Sequence, residues 1–258
     1  MGKIKIGLQP THHPPAFSRH LIIFGSIALV GLVVAGIIFA QNPLEGKIIA
    51  LDAGHGGTEL GATNGNVYEK DVNLAVVYTL KQKLEDPAVG AKVVLTRICD
   101  ETISSRKSRV DLAIEKCKSL YSRKCDVLVS VHHNGSTDPL HDGTMVIYNE
   151  KQDIPLATAL HDALISALGL PDEGYDHGGY GMTVYGHLIS ALTEAYYITN
   201  TDEANYYLGG TPTEVCATDG SPKSVLIGER TNQEAEALYQ GLVNYFSAPQ
   251  EKPGKGKK

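Results

Sequence analysis

The chain has 258 residues, enough for one sizeable α/β domain with extensions at its ends. A hydrophobic content of 42% is that of an ordinary globular protein and excludes a wholly disordered chain. The net charge of −6 argues against a general binder of the phosphate backbone, so no nucleic-acid partner is expected.

The first element is apolar. Residues 21–40, LIIFGSIALVGLVVAGIIFA, carry no charge and match the ~20 residues that a helix needs to cross a bilayer. Lys3, Lys5 and Arg19 precede the run without an acid, so residues 1–20 are expected in the cytoplasm and the chain after Gln41 outside it. The run exceeds an ordinary signal core and reads as an uncleaved membrane anchor; cleavage near Gln41, giving a secreted protein, is the alternative. On that topology Cys99, Cys117, Cys125 and Cys216 meet an oxidising compartment. No C-x-x-C pair is present, and the pairing of the four stays open, although Cys117 and Cys125 flank a short polar loop.

Residues 41–46 read as a linker and 47–247 as the folded domain. KIIALD (47–52) predicts a first strand, followed by the Gly-rich loop AGHGGTELGATNGN. Val72, Val76, Leu80 and Leu84 recur every four positions, which predicts an amphipathic helix over 69–85, ended by Asp86-Pro87. KVVLT (92–96) is a second strand, and SSRKSRVDLAIEKC (104–117) a second helix whose serines can cap its start. DVLVSVH (126–132) and GTMVIYN (143–149) are further strands, and PLATALHDALISALG (155–169) is a helix stopped by Gly169. Residues 170–185 read as a loop, 188–198 as another interior strand and 208–228 as an irregular excursion. QEAEALYQGLVNYF (233–246) closes the domain as a helix, before a basic tail (248–258) expected to be disordered.

Strands alternating with helices predict an α/β fold. The central sheet is expected to be mostly parallel or mixed, with helices on both faces, preceded by one transmembrane helix. In such sheets ligands gather beyond the carboxyl ends of the strands. His55 follows the first strand between glycines, and His132 and His133 stand at the exit of the third. Side chains alternate along a strand, so one of that pair faces the strand-end cleft and the other does not. Glu69 opens a helix, where capping competes as its role. Glu194 lies in an apolar run, a costly place for an acid without a partner or a function. Two imidazoles and one carboxylate suit a zinc ion with a position left for water, and the second carboxylate can take that water's proton. The inventory is that of a hydrolase.

IIALDAGHGG, EKDVNLAVVYTLKQKLE, KVVLTR, DVLVSVHHNGS and ALTEAYYITN together resemble the zinc-dependent N-acetylmuramoyl-L-alanine amidases of bacterial cell walls, in order and spacing, from residue 47 to 246. The resemblance implies metal ligands at His55, Glu69 and His132, the Ser-x-His-x-Asn motif selecting His132 over His133. It implies a catalytic base at Glu194, where the family's Val-Glu-x-x-Phe-x-x-Asn pattern reads Thr193-Glu194-Ala195-Tyr196-Tyr197-Ile198-Thr199-Asn200. The substrate so implied is peptidoglycan, cut between N-acetylmuramic acid and L-alanine. Asp52 and Asn134 are candidates for orienting the ligand histidines, and His133 for packing or for steadying an oxyanion. Other readings are a different envelope zinc amidohydrolase or peptidase, and a membrane-tethered wall-binding module with a spent site. The chain departs from the family in carrying GGYGMTVYG where an Asn-Arg-Gly element is usual, and in the length of the 208–228 excursion.

Overall fold

The computed structural model describes residues 42–178, 181–218 and 221–249. Strand β1 (Ile48–Ala53) is buried at every position. Its side chains divide between two cores: Ile49, Leu51 and Ala53 join one, Ile48 and Ala50 the other. A strand covered on both sides needs a continuous apolar run, as IIALDA supplies.

A short ribbon, β2 (Thr63–Asn64) and β3 (Val67–Tyr68), leads into helix α1 (Glu69–Leu84). There follow β4 (Lys92–Leu95), α2 (Arg106–Tyr121), β5 (Val127–Asn134) and β6 (Thr144–Tyr148). The Ser105 hydroxyl caps α2 by accepting from the Ser108 amide at 3.1 Å, as the serines predict. Helix α3 (Ile154–Leu168) ends where Gly169 turns left-handed at φ 66°. Then come β7 (Asp172–His177), β8 (Ser190–Tyr197), α4 (Thr201–Leu208), the strands β9 (Thr211–Thr218) and β10 (Ser221–Ile227), and α5 (Glu229–Ser247).

The main sheet has the order β4-β1-β5-β8-β6-β7. β4, β1, β5 and β8 run parallel, whereas β6 is antiparallel to β8 and β7 parallel to β6, so the sheet is mixed. Helices α1, α3 and α5 cover one face through residues such as Val72, Val76, Leu80, Leu160, Leu164, Leu238 and Leu242. On the other face α2 sets Val110, Ala113 and Cys117 against Ile48, Ala50 and Leu128. Next to α2 a 3-10 turn, Gly181–Val184, packs on β8, and Leu192, Met145 and Ile147 of β8 and β6 line an open cleft.

Three segments differ from expectation. Residues 172–177, expected in a loop, form the edge strand β7. Residues 201–208 form α4, and the excursion 211–227 is an antiparallel hairpin. All four cysteines are paired. Cys99–Cys216 ties the hairpin to the turn after β4, and Cys117–Cys125 closes the loop between α2 and β5.

The expected transmembrane helix is corrected. Among the described residues no helix is long and apolar enough to cross a membrane, and residues 21–40 lie outside them. The longest described helix, α5, has 19 residues and includes Glu229, Arg230, Glu234 and Glu236, too many charges for lipid. Among the described residues no membrane-spanning helix supports the membrane-anchored localisation expected from the sequence. The basic tail expected at 248–258 also lies outside the described residues from Gln250 onward.

Candidate active site and metal centre

His55, Glu69 and His132 converge at the carboxyl ends of β1 and β5. Each offers one donor atom, and the three atoms lie within 4.8 Å of one another. Glu69 stands between the rings: its Oε2 is 3.1 Å from His55 Nε2 and its Oε1 3.0 Å from His132 Nδ1. The two imidazoles meet edge to face, their centroids 4.9 Å apart. Burial works to raise the Glu69 carboxyl, but hydrogen bonds and charge from His132 and His55 outweigh it and hold the group well below the usual carboxylate range. An ionised carboxylate and two imidazoles within one small sphere fit a zinc ion's preference for N and O donors, with a coordination position left over.

The loop that makes this convergence needs glycine at two places. A Cβ on Gly54 would fall 2.3 Å from the His132 ring. One on Gly61, where φ is +73°, would fall 2.3 Å from Glu69 Oε2. Between them His55 itself takes φ 58°, an uncommon left-handed conformation for a residue with a side chain. Two buried arginines hold the loop there. Arg97 donates to the carbonyls of Ala53 (2.8 Å), Gly54 (3.0 Å) and Lys70 (2.7 Å). Arg109 donates to the carbonyls of Ala53 and His55 and to Asp52 Oδ1 at 3.0 Å. Asp52 also accepts from Ser130 (2.7 Å) and Thr96. Burial opposes its charge, but Arg109 and these hydroxyls outweigh it and keep the carboxyl below its ordinary value.

Glu194 on β8 is the register partner of His132 on β5. Beyond them the register slips, the next partners being Asn134 and Tyr197, so β8 carries one extra residue at this point. Glu194 Oε2 is buried without a hydrogen-bond partner. Burial, reinforced by the charge of Glu69, pushes its carboxyl well above the usual range. The cleft that holds it has a volume of about 830 Å³ and is shared by His55, His132 and Glu194. Met145, Ile147 and Leu192 supply apolar surface, and Arg106 and Lys107 stand along one side.

The remaining candidates have other surroundings. His133 points away from the cleft into the core, 1% exposed, against the Tyr196 ring at 4.3 Å. Asp52 braces Arg109 and makes no hydrogen bond to a ligand histidine. Asn134 lines the cleft, and its side-chain oxygen accepts from the Gly135 amide at 2.9 Å. Sequence reasoning passed over Arg97, Arg109 and Asn73. Asn73 interrupts the apolar face of α1 at a fully buried position, and that interruption was the available signal.

A model of the N-acetylmuramoyl-L-alanine amidase family matches residues 49–216. The germination-specific N-acetylmuramoyl-L-alanine amidase of Bacillus subtilis is 28% identical over 222 residues, covering 82% of this chain and 84% of that protein. The N-acetylmuramoyl-L-alanine amidase LytC of the same organism is 29% identical over 231 residues, 88% of this chain but only 40% of LytC. Among solved structures, the catalytic domain of CwlV, an amidase from Bacillus (Paenibacillus) polymyxa var. colistinus, superposes with a TM-score of 0.60. It is 25% identical and covers 78% of this chain and 98% of that domain.

Proposed function

The chain belongs to the N-acetylmuramoyl-L-alanine amidase family, and from that premise we propose that His55, Glu69 and His132 are its zinc ligands and Glu194 its general base. The reaction is hydrolysis of the amide between the lactyl group of N-acetylmuramic acid and the L-alanine of the peptidoglycan stem peptide. The observation that carries the assignment of roles is the approach of three donor atoms to within 4.8 Å at one end of a shared cleft. Zinc bound there supplies a Lewis acid for the amide carbonyl and lowers the pKa of water.

The chain's own residues account for the rest. Glu194 shares the cleft with His55 and His132, and its Oε2 has no protein partner competing for a proton. It accepts the proton of the attacking water and returns it to the departing alanine nitrogen. Burial makes the protonated form of Glu194 easy to reach, which suits a group that must hold a proton between two steps. Met145, Ile147 and Leu192 exclude water from the adjoining surface and offer contact to the lactyl and alanyl methyl groups. Two disulfides suit a domain that works where thiols are oxidised, as a wall substrate requires. A wall-binding module with a spent site would have no use for a buried carboxylate aligned with three donors.

The test is digestion of purified peptidoglycan by the protein as isolated, after chelation and after zinc is returned. Free stem peptides beginning with L-alanine should appear, vanish and reappear, while simple linear peptides stay intact. Cleavage of the simple peptides at a comparable rate would instead support a general peptidase.

A further inference from the structure

Resting on the assignment of Glu69 as a zinc ligand, we propose that Glu234, on the closing helix α5, is a positioning residue for that ligand, acting through His133 and Asn73. Both side chains of the His133–Glu234 pair are fully buried, with His133 Nε2 2.9 Å from Glu234 Oε2. On the other side of the ring, Nδ1 is 2.7 Å from Asn73 Oδ1. The Asn73 amide is fixed in sense because its Nδ2 donates to the Gly54 carbonyl at 3.1 Å; turned over, it would set oxygen against oxygen. Its Oδ1 therefore faces the ring, and His133 Nδ1 carries the proton that bridges them.

The same Nδ2 reaches Glu69 Oε1 at 3.4 Å, where the backbone amide of His133 also donates at 3.1 Å. The Ala62 amide holds Oε2 at 2.8 Å. The metal-ligating carboxylate is thus aimed by three N–H donors. One of these, Asn73, is locked by a ring that is itself locked by Glu234.

A buried acid beside a buried imidazole is a costly way to fill space between a helix and a sheet. Two leucines would fill a similar volume without burying a charge, at the expense of one hydrogen bond to Asn73 Oδ1. What the leucines cannot do is hold Asn73 Oδ1, which leaves the side chain anchored through Nδ2 alone. Partners behind metal ligands commonly change metal affinity or activity by about 10–100-fold when removed.

The experiment uses the full chain with the two groups removed together, His133→Leu with Glu234→Leu, so that neither is left buried alone. Zinc affinity is measured by competition with a chromophoric chelator, beside thermal melting and the kinetics of stem-peptide release. The expected result is a melting temperature near that of the wild type, zinc affinity weakened by about tenfold or more, and a lower kcat at unchanged KM. Wild-type affinity and kcat in a folded double variant would overturn the proposal and leave the pair as core filling. Should the double variant not fold, Glu234→Gln and Glu234→Met decide the matter. Zinc held by the first, which keeps a hydrogen-bonding group for ring Nε2, and weakened in the second supports the proposal; equal affinity in both overturns it. Zinc affinity that survives His55→Ala in an otherwise unaltered chain would defeat the ligand assignment itself, and the same titration separates that failure from this one.

Discussion

Glu194 and His132 lie opposite one another across the parallel β5–β8 pair, at the last matched position before β8 gains its extra residue. A proposed base and a proposed ligand are therefore fixed by one ladder of backbone bonds and open onto one cleft. Replacing Glu194 by Gln leaves that ladder intact. The variant should bind zinc as the wild type does and lose stem-peptide release by about 10²–10⁴-fold. Metal analysis beside a digest of peptidoglycan checks both halves. A variant that also lost zinc would mean that Glu194 is a ligand and not the base.

The same substitution should raise the stability of the metal-free protein at neutral pH. Burial, followed by the charge of Glu69, places the folded-state pKa of Glu194 well above its ordinary value. For such a group the stabilising contribution is complete below the unfolded value of about 4.3 and is lost as pH rises through the folded one. Melting temperatures of the two chelated proteins should coincide near pH 4 and separate at higher pH, with the Gln variant above. Parallel curves would contradict this.

Asp52 should behave with the opposite sign. Its carboxyl is depressed, because Arg109 and the surrounding hydroxyls outweigh burial. Its contribution is present above the unfolded value of about 3.9 and lost as pH falls through the folded one, giving an acid limb to the stability curve. Asp52→Asn leaves Arg109 buried without its counter-charge, at a cost of about 3–5 kcal/mol, and should flatten that limb. Urea unfolding at several pH values measures both effects. Arg109 also holds the His55 carbonyl, so zinc affinity should fall as well.

The two disulfides should differ in their effect on unfolding. Cys99 and Cys216 are 117 residues apart, Cys117 and Cys125 only 8. In the chain-entropy account the long closure is worth about 5 kcal/mol and the short one about 2.5 kcal/mol. Paired Cys→Ser variants compared by urea unfolding should follow that order. The long closure also joins the β9–β10 hairpin to the turn whose Asp100 accepts from the Gly57 amide at 2.7 Å, so its loss should reach the metal loop.

Much of this architecture could be read from the residues because its signals are local and strong. IIAL and VLV open their strands as apolar runs, and Val72, Val76, Leu80 and Leu84 repeat with the helical period. The missed parts lack those signals for physical reasons. Strand β7 reads DEGYDH, without apolar alternation, because it is an edge strand joined to the sheet on one side alone. Helix α4 has only eight residues, too few for a clear period, although the Asn200 side chain caps it by accepting from Asp202 and Glu203 amides. The hairpin could have been found from its two runs, 211–218 with Thr and Val and 221–227 with Val and Ile, residue types that favour strands.

The site was legible to a different degree. His55, Glu69, His132 and Glu194 stood out as polar groups at the edges of apolar runs; the first three cluster, and Glu194 lines one cleft with the two histidines. The framework behind them was hidden. Arg97, Arg109 and Asn73 act on backbone carbonyls and on Glu69 across many intervening residues, and no spacing rule connects groups so far apart in the chain.

Beyond helix α2, Leu192, Met145 and Ile147 pave the floor of an open cleft bordered by Met182 and Tyr185. An enclosed pit would admit only loose fragments with a free end. A cross-linked mesh offers few such ends, and its strands cannot be threaded. An open-sided cleft suits a strand of the mesh approached broadside, while both of its ends remain tied into the fabric.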